Sequence, residues 1–186
     1  MKLRVHSLCP SSLANGPGQR FVVWTQGCAL ACEGCFNPDS HAKANGEIIE
    51  VPALARQVNA SARASGLRGL TLSGGEPLAQ ARAVAHLLDR LDPALDVLLF
   101  TGHELAEIRR SSVMRAVIAR CDAVLAGRYS AANDHPFAGK SLLLRGGRIR
   151  ADELTPHHII ELVVGTGPNA TVTGYPRRKT WTSTKN

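Results

Sequence analysis

The chain is poor in aromatic side chains, which make up 4% of its 186 residues: two Trp, two Tyr and four Phe. Stacking platforms for single-stranded nucleic acid are therefore poorly supplied, and nucleic acid is an unlikely partner. No apolar run approaches the length of a bilayer span. The start, Met1-Lys2-Leu3-Arg4-Val5-His6-Ser7, carries basic residues with no apolar stretch behind them, so neither a membrane anchor nor an export signal is expected, and the expected location is the cytoplasm. Internal repeats and low-complexity linkers are also lacking. Charge is not concentrated either. The net charge is +7, from 22 Lys plus Arg against 15 Asp plus Glu, but the positive residues are scattered. Their one cluster, Arg177-Arg178-Lys179, lies in a polar stretch, 176–186, that reads as a mobile basic tail. This balance favours anionic partners only weakly. With 44% hydrophobic and 20% charged residues the composition is that of an ordinary globular domain. The length suits one core burying roughly 70% of the unfolded surface, so a disulfide scaffold is not needed.

Cysteine is present and unevenly spread. Three of the five fall within eight residues, as Cys28, Cys32 and Cys35 in the spacing CxxxCxxC. In a reducing compartment such a triplet argues for metal binding or catalysis over disulfides. Thiolates select soft metals, so the loop could hold zinc or an iron–sulfur cluster. A structural zinc site wants four closed ligands, and the nearest fourth is His41, at a spacing unlike the common fingers. A cubane cluster is usually held by four cysteines. Three clustered ligands leave one iron without a protein ligand, which a cluster needs if it is to bind a substrate directly. Cys9 and Cys121 could close the shell from a distance, but each reads first as a small buried hydrophobe.

Apolar runs of strand type alternate with segments of helical period, the pattern of an α/β protein with a parallel sheet. Strands are expected at Phe21–Trp24, Leu70–Leu72, Val97–Phe100 and Ala123–Leu125. Helices are expected near 51–64, over Val84–Leu91, and near 103–110 and 112–119. The cysteine triplet, Ser73-Gly74-Gly75-Glu76-Pro77, Thr101-Gly102 and Gly127-Arg128 each follow one of these strands. In a parallel sheet or barrel, all such positions share the carboxyl-terminal rim, where α/β folds place their chemistry. Residues 128–150 read as loop-rich, and 158–173 as a terminal hairpin packing on the same domain.

The cysteine triplet followed by Gly74-Gly75-Glu76-Pro77 resembles the signature of radical S-adenosylmethionine (SAM) enzymes. The resemblance extends through Asn15-Gly16-Pro17-Gly18 with Arg20, Gln26-Gly27, Cys32-Glu33-Gly34-Cys35-Phe36-Asn37 and Thr101-Gly102 with Glu104-Leu105 to the small activating proteins of anaerobic ribonucleotide reductase. It implies a single domain, 1–186, built as a partial (βα) barrel with a C-terminal β-hairpin: a cluster and SAM core at 1–127, a variable loop and hairpin at 128–175, and the tail. It implies that Cys28, Cys32 and Cys35 ligate a [4Fe-4S] cluster, and that Gly74, Gly75, Glu76, Pro77, Thr101 and Gly102 bind SAM. It further implies reductive cleavage of SAM to a 5'-deoxyadenosyl radical that installs a glycyl radical on a large partner enzyme, with the electron coming from a low-potential donor such as flavodoxin. Rival readings are a radical SAM enzyme acting on a peptide or metabolite, and a non-catalytic iron–sulfur or zinc module. The chain departs from the resemblance at His103, at Ala126-Gly127-Arg128-Tyr129 and at Arg145-Gly146-Gly147-Arg148-Ile149. The segment from Ala126 to Arg150, Arg145 and Arg148 above all, is therefore expected to govern partner recognition, while Gly75 is expected to let backbone approach SAM closely.

Overall fold

The computed structural model describes residues 1–133, 137–154, 159–164 and 170–174. Strand β1 (Lys2–Ser12) turns back into β2 (Arg20–Thr25), where Phe21, Val22 and Val23 are fully buried in succession. Burial on both faces marks an interior strand of a sheet covered on both sides. A short β3 (Glu47–Glu50) leads into helix α1 (Val51–Ser65). Its Val51, Leu54, Ala55, Val58 and Ala62 form the buried stripe; Pro52 sits in the first turn, and Gly66 closes the helix in the left-handed conformation at φ 62°. The chain continues through β4 (Gly69–Gly74), α2 (Ala81–Leu88), β5 (Asp96–Thr101), α3 (Leu105–Arg110), α4 (Ser112–Ile118), β6 (Ala123–Ala126) and β7 (Ser141–Leu144), and then the pair β8 (Ile160–Val164) and β9 (Ala170–Gly174).

The main sheet has seven strands in the order β3-β1-β2-β4-β5-β6-β7. Its centre, β2-β4-β5-β6, is parallel, and an antiparallel flank closes each side. The parallel strands neighbour one another in chain order without a reversal. Their connecting helices share one face: Leu54 and Val58 of α1, Val84 and Leu87 of α2, and Val117 of α4 form a single core with Leu70, Leu72, Leu99 and Val124. Helices on one face and no switch of direction are the plan of a (βα) barrel, here left open because β3 and β7 do not pair. The other face of the sheet is closed in part by Leu98, Phe100, Ala123 and Leu125 packing with Ile149, Leu154 and Phe137.

The amino-terminal edge of the parallel strands is an ionic lock. Arg20, fully buried, pairs with Asp96 at 2.5 Å and donates to Thr71 Oγ1, Pro17 O and Leu70 O. Arg68 bridges the same Asp96 to Glu153. A buried guanidinium held by this many acceptors is compensated where an unpaired one would be very costly. Gly69 is required beside it, because a Cβ there would run into Asp96.

The four expected parallel strands and their helices are present. Three differences stand out. Residues 128–150 are not simply loop, since Ser141–Leu144 is the seventh strand, antiparallel to β6. Pro77 opens a separate short 3-10 turn, Pro77–Gln80, ahead of α2. The amino-terminal residues supply β1, whose Leu3 and Val5 enter the main core. The terminal hairpin is found as β8-β9 and joins the domain through Asn15 Nδ2 donating to Thr173 Oγ1 at 2.9 Å. The expected tail, 176–186, lies outside the described residues.

Candidate metal centre at the sheet rim

The cysteine loop leaves the end of β2 and is tied down where it returns. Gln26 is almost fully buried; its Nε2 donates to Asp39 O at 3.0 Å and Ala42 O at 2.8 Å, while its backbone N–H donates to Arg4 O. The next two amides continue the seam, Gly27 N donating to Ser40 O at 2.7 Å and Cys28 N to His41 O at 3.1 Å. The loop is thus held at both ends, with the three thiols on the span between. Within that span Ala31 takes φ 49°, the one non-glycine residue at positive φ among the described residues. Such a conformation costs a residue with a Cβ about 1 kcal/mol or more, and it is characteristic of sites where the backbone is bent for a purpose.

Facing this loop is the end of β4. Gly75 N donates to Thr25 O and Glu76 N to Gly27 O, so the two rim segments are stitched backbone to backbone. Glu76, 1% exposed, joins the next strand as well: Oε1 accepts from Leu78 N and Thr101 Oγ1, both at 2.8 Å, and Oε2 accepts from Gly102 N at 2.7 Å. The carboxylate therefore clamps the ends of β4 and β5 together. Beyond Gly102, Arg128 donates to its carbonyl and forms a bidentate pair with Glu107, whose carboxyl the guanidinium holds at about 2.

These segments line one cleft, partly open to solvent. Its walls include Cys28, Cys32 and Cys35, Gly74 to Glu76, and Thr101 with Gly102. Burial pushes the Cys28 and Cys35 thiols up, so loading metal there releases protons. Cys9 and Cys121 lie elsewhere, buried, with their thiols donating to Ser11 O and Val117 O; burial pushes Cys121 up to about 12. The thiols facing the cleft are therefore three, and His41 also stands in its wall. Among the described residues no three His, Cys, Asp or Glu side chains converge as they would around one metal ion. Three separated thiols fit a multi-iron cluster, whose corners take one ligand each, with one corner left for another molecule.

The comparisons with known proteins agree with this donor set. Residues 14–143 match the family described as 4Fe-4S single cluster domain. The anaerobic ribonucleoside-triphosphate reductase-activating protein of Vibrio cholerae is 30% identical over 134 residues, spanning 68% of this chain and 84% of that one. Its counterpart in Pasteurella multocida is 30% identical over 147 residues, spanning 74% and 88%. This chain belongs to that family of activating proteins. As a member it is an enzyme of the radical SAM activating type with an iron–sulfur domain. The pyruvate formate-lyase-activating enzyme of Clostridium pasteurianum shares 37% identity over 89 residues, 46% of this chain and 37% of that one. A solved structure, QueE from Escherichia coli, overlays with a TM-score of 0.48 at 12% identity over 70% of this chain and 73% of its own, a likeness on which nothing rests.

Of the residues expected at the site, Cys28, Cys32, Cys35, Gly74, Gly75, Glu76, Thr101 and Gly102 line one cleft, whereas Pro77 does not and is buried at the start of the 3-10 turn Pro77–Gln80. A Cβ at Gly75 would stand 2.7 Å from Gly27 O and 2.8 Å from Ser40 O, so this glycine also serves the contact between two rim loops. Arg145 and Arg148 do not reach the rim. Arg145 N donates to Asp122 O, and Arg148 pairs with Asp122 and donates to Pro93 O, all at the opposite edge of the sheet. The antiparallel run of β7 carries the chain from rim to base, so Tyr129 and Lys140 of the divergent segment line the cleft while the residues after β7 lie away from it. Arg20 and Asn15, part of the family resemblance, also lie at the base. The cleft further includes Tyr129 and Lys140, which sequence reasoning missed. Lys140 lies in a Gly- and Ser-containing loop, and no local pattern distinguishes it from a surface lysine.

Proposed function

We propose that this activating protein reductively cleaves SAM at a [4Fe-4S] cluster held by Cys28, Cys32 and Cys35, and that it acts on a glycyl-radical enzyme, most directly an anaerobic ribonucleotide reductase. When bound, the cluster supplies one electron to the sulfonium of SAM, so that a C–S bond breaks to give methionine and a 5'-deoxyadenosyl radical, which takes a hydrogen atom from a glycine Cα and leaves the glycyl radical there. The protein's residues supply position and exclusion of water. Gln26 and the Gly27 and Cys28 amides hold the cysteine loop; Glu76 holds the facing rim, keeping Gly74, Gly75, Thr101 and Gly102 in the wall against which SAM would lie.

The observation that carries this reading is the shared, partly open cleft, which three soft thiols line together with Gly74, Gly75 and Glu76. The relatives named as reductase-activating proteins support the choice of partner. A non-catalytic metal module would have no use for the second wall. Anaerobic reconstitution tests the reading: about four irons per chain, the complement of one cubane, and release of 5'-deoxyadenosine from SAM under dithionite are expected. Replacing Cys28, Cys32 or Cys35 by Ala should abolish both, while Cys9→Ala and Cys121→Ala keep them. A colourless protein holding one zinc would contradict it.

A further inference from the structure

Among the described residues Lys140 is the one ammonium lining the cleft, and no ion pair joins it to a carboxylate there. It stands at the start of β7, half-buried, with its Nζ donating to Gly127 O. An ammonium has three donors, and one carbonyl meets one of them. Among the described residues no carboxylate lies at ion-pair distance from it. The nearby acid in the wall, Glu76, already accepts from Leu78 N, Thr101 Oγ1 and Gly102 N. Burial lowers the pKa of Lys140, and Cys32 heads the negative groups that oppose the shift, followed by Glu76, Glu104 and Cys35. A cation held away from water wants a compensating negative charge; Glu104 lies by Gly127, where it already accepts from Arg128 N, and Cys28, Cys32 and Cys35 line the same cleft as the ammonium.

We infer that Lys140 is the electrostatic tuning residue of the site, its ammonium favouring the more negative, reduced state of a cluster held by Cys28, Cys32 and Cys35 and so raising that cluster's reduction potential. The inference rests on the iron–sulfur reading above and extends it to a residue outside the cysteine loop and outside the Gly-Gly-Glu-Pro segment. Cluster potentials respond to net charge, hydrogen bonds and exposure. Lys140 contributes the first of these, in a half-buried place where salt screens it little.

The test is a potentiometric titration of the reconstituted protein, followed by electron paramagnetic resonance, for the wild type, Lys140→Gln, Lys140→Met and Lys140→Arg. Iron content is measured on each sample. Both neutral variants should retain iron and shift the reduction equilibrium about tenfold toward the oxidised state, equivalent to about 59 mV for one electron. Lys140→Arg should stay close to wild type, and the shift should survive about 0.5 M salt, where an exposed charge would be screened. Neutral variants with full iron and an unchanged potential would overturn the inference. So would an unchanged potential accompanied by weaker SAM binding in equilibrium dialysis, which would assign the ammonium to the cosubstrate's carboxylate. A wild-type chain that takes up no iron would overturn the iron–sulfur reading itself, an outcome distinct from the other two.

Discussion

At the scale of single residues, Glu76 shows how a motif acidic group can act without touching a reacting atom. Its two oxygens accept three hydrogen bonds, two of which join the ends of β4 and β5 while the third, from Leu78 N, is local, and both oxygens face a backbone N–H. Glu76→Gln must therefore set an amide NH2 against one backbone donor. A loss of about 1–3 kcal/mol in the urea unfolding free energy of the apoprotein is expected, since a buried donor loses its acceptor. Gly75 gives a second test. Even a methyl group there meets the backbone of Gly27 and Ser40, so Gly75→Ala should displace the cysteine loop and lower iron uptake on reconstitution. Iron content equal to wild type would mean that the seam between the two rims yields without consequence. That the cysteines and Gly74 to Glu76 would share one rim was legible because cysteine spacing and a Gly-Gly-Glu-Pro run after apolar strands are local signals. What each residue does was not, because the partners of Glu76 and Gly75 come from other strands.

At the scale of elements, the parallel strands were legible because each is a short apolar run bounded by Gly, Pro or a polar turn. The flanking strands were not. In β1 the register shifts between Val5 and Ser7 and again between Cys9 and Ser12, so the alternation that announces a half-buried strand is broken. Four residues each, β3 and β7 exist through pairing with distant segments, which no local pattern records. That blindness explains the misplacement of Arg145 and Arg148. Once β7 runs antiparallel to β6, both arginines fall at the base of the sheet, where Arg148 neutralises the buried Asp122. Arg148→Ala should therefore lower stability, by about 1–2 kcal/mol in urea unfolding, while SAM cleavage per iron-loaded chain and radical transfer to a partner stay at wild-type levels. A stable variant defective only in radical transfer would restore Arg148 to the interface. At the other end of the sheet, Gln26→Ala should free residues 39–42, seen as faster hydrogen exchange at the Gly27 and Cys28 amides and poorer iron retention.

At the scale of the whole molecule, the two edges of the sheet divide the work. The base is locked by Arg20, Arg68, Asp96, Asp122, Arg148 and Glu153, a set of charges spent on one another. The rim keeps its thiols, glycines and Lys140 around an open cleft. Among the described residues no helix is long and apolar enough to cross a membrane. Stability and chemistry thus sit at opposite ends of the same parallel strands, and the chemistry faces outward, where a macromolecular partner can cover it. The measurement that tests this most directly is electron paramagnetic resonance of an anaerobic mixture of the iron-loaded protein, SAM, dithionite and the host's anaerobic ribonucleotide reductase. A glycyl doublet on the reductase is expected, absent when Cys32→Ala replaces the wild type and undiminished with Arg148→Ala. Iron-loaded wild type that cleaves SAM yet leaves no doublet on the reductase, while a peptide or metabolite stimulates 5'-deoxyadenosine release, would contradict it.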